Sequence, residues 1–156
     1  MTTPFRSGTQ KAILVVLSSL LLLTLTGCSS AYIDAFNPAI DQFNIAATEL
    51  SAQMDALTAD NALFEDPAWQ SDTGAILSNL KGAAQTLANL PDPEEEYVML
   101  DGLVQELASQ SMLAADAYNA AIDAQDIEMM NEAGTYLDRV NELLPQINAE
   151  VDRLNQ

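Results

Sequence analysis

The chain has 156 residues, with 5 Lys+Arg, 23 Asp+Glu, no His, a single Cys and a formal charge of −18. That length suits one domain, and one Cys rules out an internal disulfide framework. The missing His removes the common zinc sites, Ser-His-Asp triads and Glu-x-x-His di-iron sites, and the acidic balance excludes nucleic acid, whose phosphates demand clustered Lys and Arg.

The first segment reads as an address rather than as fold. Arg6 and Lys11 are its only charges, and Ala12 to Leu25 then runs rich in Leu, Val and Ile. Such a run is shorter than the roughly 20 apolar residues that span a bilayer. A basic start, a short apolar run and small residues after it predict a cleaved secretory signal peptide. The run closes on Leu25-Thr26-Gly27-Cys28, and Cys28 is the lone Cys of the chain. This ending resembles the lipobox of bacterial lipoproteins. The resemblance implies cleavage before Cys28, diacylglycerol on its sulfur and a further acyl chain on the new amino group. It divides the chain into a signal peptide over 1–27 and an exported domain over 28–156. It also implies a protein held by lipid in a cell membrane or an outer membrane, facing away from the cytoplasm. The alternative is an ordinary signal peptide followed by a chance Cys. The exported part keeps all 23 acids but only Lys81, Arg139 and Arg153, a formal charge of −20.

Four runs follow with apolar or small residues spaced alternately by three and four, the heptad pattern of packed helices. The first is Ile33, Phe36, Ile40, Phe43, Ala47, Leu50, Met54, Leu57. The second is Trp69, Thr73, Ile76, Leu80, Ala83, Leu87, Leu90. The third is Tyr97, Leu100, Val104, Leu107, Ser111, Ala114, Tyr118, Ala121. The fourth is Met130, Ala133, Leu137, Val140, Leu144, Ile147, Val151, Leu154. Asp66-Pro67 and Asp92-Pro93 each place a capping acid before a Pro suited to the first helical position. Asp126 is a cap for the fourth helix. The first helix is expected to start near Ala31 with a bend at Pro38, and Pro145 to kink the fourth. Short connections force neighbours to run antiparallel. The expected fold is all-α, an up-down-up-down four-helix bundle, and in that architecture the chain resembles the small helical-bundle lipoproteins of unassigned activity.

Two clusters at the end far from Cys28 are candidates for binding. Ten acids gather there without a Lys or Arg, and Asp123, Asp126 and Glu128 have a loose spacing for Ca²⁺, which prefers carboxylate oxygens. A solubilising acidic cap is the competing explanation. Trp69, Tyr118, Met54 and Met130 fall in the same layers. They are either core packing or the wall of an apolar pocket for a cationic ligand. No cofactor beyond the covalent lipid is expected. The absent His, a thiol committed to acylation and acids lying off the apolar seams all argue against an enzyme. The expected role is a structural or protein-interaction module of the cell envelope with an envelope protein or polymer as partner. The alternative is a small cation- or ligand-binding lipoprotein using the acidic far end. Leu103 and Leu113, beside the seam of the third helix, are the candidates for an exposed contact stripe.

Overall fold

A computed structural model describes residues 30–156. Leu25, Thr26, Gly27 and Cys28 lie outside the described residues. Within them the chain is four long helices and no strand: α1 (Ala31–Ala59), α2 (Pro67–Ala88), α3 (Val98–Ala124) and α4 (Ile127–Leu154). Single 3₁₀ turns, Asn61–Glu65 and Glu95–Tyr97, fill the first two connections.

The caps explain the boundaries. Ser30 opens α1 by accepting from the backbone N–H of Ile33 at 3.2 Å. Asp66 accepts from Ala68 N ahead of Pro67, as its sequence position predicts. The Asp126 carboxylate accepts from both Glu128 N and Met129 N and so starts α4. Each such cap satisfies N–H groups that have no partner inside the helix. Asp92-Pro93 does not behave this way. The chain stays extended to Glu94, tightens through the 3₁₀ turn, and enters α3 only at Val98. Three successive Glu follow Pro93, and a 3₁₀ turn ahead of the helix lets Tyr97 reach the core before α3 begins. α3 ends with Gln125 in the left-handed region at φ 51, and Asp126 alone then separates it from α4. Pro38 and Pro145 both lie exposed inside unbroken helices.

Side-chain pairs fix the directions. Lys81 of α2 pairs with Asp116 of α3, and Arg139 of α4 pairs with Glu106 of α3 at 2.7 Å. Farther along, Gly74 lies beside Asn119 and Gly134 beside Tyr118, so numbers rise on one helix as they fall on its neighbour. Tyr32 at the start of α1 stacks on Tyr97 just before α3, with ring centroids 5.8 Å apart. The bundle is therefore up-down-up-down. One pole carries Ser30, the 89–97 connection and the end of α4. The other, the far pole, carries the 60–66 and 125–126 connections.

Apart from the half-buried ends Leu90 and Leu154, the seams are buried with three shifts of one residue. In α1 Ala39 is buried beside the half-buried Ile40, in α2 Leu77 beside Ile76, and in α4 Leu143 beside Leu144. A straight helix turns every 3.6 residues, so a strict 3.5-residue seam drifts about 20° per heptad and the neighbour takes over. Tyr32, Ala84, Ala108, Ala115 and Ile122 widen the buried stripes beyond two positions per heptad, as expected for a globular bundle rather than a coiled coil. The most extensive helix–helix packing is between α3 and α4. Small side chains such as Ala114, Ala117, Ala121 and Ala133 allow it.

Candidate functional site

The far pole gathers the sequence candidates, and their geometry divides them. Trp69, Tyr118, Met54 and Met130 are all buried in the single hydrophobic core. Trp69 packs edge-on against Phe64, with centroids 6.4 Å apart. These four side chains fill space between helices; they do not form the wall of an open pocket. Three polar atoms in these layers are nevertheless buried with no hydrogen-bond partner: Trp69 Nε1, Thr73 Oγ1 and Tyr118 Oη. Trp69 and Thr73 are one turn apart on α2. The Tyr118 ring reaches α4 where Gly134 lacks a side chain, and a β-carbon there would sit 3.5 Å from its hydroxyl. Burial, and secondarily the charge of Asp138, raise the Tyr118 pKa well above the usual phenol value. A buried polar atom without a partner costs folding free energy, so this layer carries a local penalty that its packing offsets.

Asp123, Asp126 and Glu128 all lie at or next to the α3–α4 connection. Asp126 Oδ1 accepts from two backbone N–H groups, and no cluster of three acids poised around one ion occurs among the described residues. The far pole is also less distinct in charge than the sequence map suggests. Asp92, Glu94, Glu95 and Glu96 crowd the opposite end, where Arg153 is the local cation. Arg153 holds the buried Glu150 carboxylate through two bonds of 2.6 and 2.9 Å. That hydrogen-bonded ion pair lowers the Glu150 pKa, against the opposing effect of burial. The acids therefore mark both poles, with the cations Lys81 and Arg139 between them.

A second surface was only partly legible. α3 and α4 meet in a shallow groove lined by Ala117, Met129, Glu132, Ala133, Thr135 and Tyr136. Leu113 lies one turn before Ala117 on the same face of α3 and is 45% exposed, and Ile127 is exposed where α4 begins. Leu103 instead packs against the core. Apolar side chains therefore form a strip on this face toward the far pole, with the carboxylate of Glu132 at its border. Met129 and Tyr136 could have been found from their spacing of seven, which places them on one face of the helix. No protein-family model, no curated protein and no solved structure matches this chain.

Proposed function

We propose that this is a lipid-anchored, non-catalytic helical module of the cell envelope, facing away from the cytoplasm, that acts by binding another envelope component. The observation that carries the reading is the join between motif and fold. Leu25-Thr26-Gly27-Cys28 is followed by Ser29 and then by Ser30, the cap of α1. A lipid on Cys28 would hold the bundle directly at the bilayer, with no tether to speak of. Two or more acyl chains give stable attachment where one is marginal. Changing Cys28→Ala is expected to move the protein from the membrane fraction to the soluble fraction of cells. Retention of the variant in the membrane fraction overturns the anchor.

The strip along α3 and α4 supports the interaction role. Large apolar side chains exposed together on one face are a common mark of a contact surface. Glu132 at its border favours a partner whose apolar anchors are flanked by Lys or Arg. A photo-crosslinker at Met129 in living cells is expected to capture one specific envelope partner, while a crosslinker at Ile45 on α1, which is more exposed than Met129, captures none. Equal capture at both sites, or none at either, rejects the strip as the binding face.

The second reading is a small cationic ligand at the far pole. The unpartnered atoms of Trp69, Thr73 and Tyr118 favour it, because a ligand that opened this layer would meet polar groups in need of partners. Trp69 emission and thermal stability test it together. No response of either to amines, or to Ca²⁺ up to about 1 mM, the range of weak extracellular sites, removes this reading.

A further inference from the structure

Three large apolar side chains stand out for exposure: Met99 at 65%, Ile45 at 62% and Val98 at 56%. Ile45 is alone on the flank of α1. Val98 and Met99 are adjacent, and they open α3 at the pole where α1 also begins. The Tyr32–Tyr97 stack joins those two helix starts directly. Tyr32 is two residues from Ser30, and Tyr97 is the residue before Val98. Cys28 is two residues from Ser30, so its Cα lies within about 7 Å of the Ser30 Cα however the chain runs between them. The most exposed apolar pair of the bundle thus sits within a few residues' reach of the proposed acyl anchor.

We propose that Val98 and Met99 are a second membrane contact, entering the headgroup and upper acyl layer of the bilayer beside the acylated Cys28. The inference rests on the anchor reading above and adds an orientation: the bundle stands on this pole, with the far pole and the α3–α4 strip held away from the surface. Glu94, Glu95 and Glu96, just ahead of the pair, set the kind of surface. Their carboxylates suit headgroups that carry an ammonium group and oppose a strongly anionic one. The contact is therefore with a predominantly zwitterionic leaflet. One apolar pair is a weak binder alone; beside an anchor it acts at high effective concentration, so it orients the protein without having to recruit it.

The test uses the full-length acylated protein in vesicles of a zwitterionic phospholipid brominated at the upper acyl carbons. Met99→Trp is compared with Ile45→Trp, and buried Trp69 at the far pole is the common internal reference. Ile45 is fourteen residues into α1, about 21 Å from its start at 1.5 Å per residue. Interfacial apolar groups sit roughly 5–10 Å into the headgroup and acyl boundary, so the Trp at 99 is expected to lose about half its emission or more. The Trp at 45 is expected to lose none. A readout without new aromatic residues uses the native sequence and a water-soluble oxidant. Met99 should be oxidised several-fold more slowly on vesicles than in the soluble Cys28→Ala form, while exposed Met129 at the far pole reacts equally in both. Vesicle-bound protein with an unquenched Trp at 99 and unprotected Met99 overturns this contact and leaves the anchor standing. Equal quenching at 99 and 45 means that the bundle lies on its side, and also overturns it. Failure of the protein to float with the vesicles overturns the anchor and this contact together.

Discussion

Thr73 and Ser111 are buried hydroxyls that differ in whether they have a partner. The Thr73 hydroxyl is fully buried in α2 and has no partner, whereas the equally buried Ser111 hydroxyl donates to the Leu107 carbonyl at 2.8 Å. The two residues occupy similar seam positions in the sequence, and only the structure separates them. Val has nearly the same shape as Thr and no polar atom to desolvate. Thr73→Val is therefore expected to stabilise the protein by about 1 kcal/mol in denaturant unfolding, the low end of the cost of an unmet buried hydroxyl. A loss of stability would mean that this hydroxyl has a partner in solution, and would remove one of the three unmet atoms on which the ligand reading of the far pole rests. Leu107 gives the opposite case. It is fully buried at mid-height in α3, within the unbroken apolar core. Leu107→Asp places an unpaired charge there, so a loss above about 4 kcal/mol, or failure to fold, is expected by circular dichroism.

At the scale of the element, the caps set where helices begin, and they were unequally readable. Asp66-Pro67 works as its sequence suggests because the apolar period begins at Trp69, in phase with a helix starting at Pro67. Asp92-Pro93 carries the same signal, yet α3 starts five residues later. The difference is the pull of Tyr97, whose ring must reach Tyr32, and local capping energy of about 1 kcal/mol does not outweigh a buried aromatic contact. Asp126 is the most heavily used cap, accepting two backbone N–H groups at a connection where Gln125 already holds a left-handed conformation. Asp126→Ala is expected to cost about 1–2 kcal/mol in thermal or chemical unfolding. Added Ca²⁺ should leave that difference unchanged if the carboxylate serves the helix alone.

Across the whole molecule, charge and packing work against each other. Residues 28–156 carry 23 acids and three bases, and the acids crowd both poles of a bundle about 43 Å long, from a 29-residue helix at 1.5 Å per residue. Each pole repels itself more than it repels the other, because screening lengths at ordinary salt are about 8 Å. The ion pairs present are mostly exposed and stabilise little. Raising ionic strength from about 0.01 M to 0.15 M, which shortens the screening length from roughly 30 Å to 8 Å, should therefore raise the melting temperature. A relief of about 1 kcal/mol corresponds to a few degrees for a domain of this size. A fall in melting temperature would show that the Arg139 and Arg153 pairs outweigh the repulsion at the poles.

The sequence by itself determined that the chain after Ser30 is four helices in antiparallel sequence. Apolar spacing fixes helix and face, and short links leave antiparallel packing as the only economical solution. It also placed Cys28 within three residues of the fold, through covalent order alone. Tertiary structure decided what spacing cannot: that Leu77 and Leu143 rather than Ile76 and Leu144 face the core, that Trp69 and Tyr118 are filled space with unmet polar atoms, and that Val98 and Met99 stand uncovered beside the start of α1. Those outcomes depend on which neighbour fills each gap, and a pattern along one helix carries no information about the surface of the next.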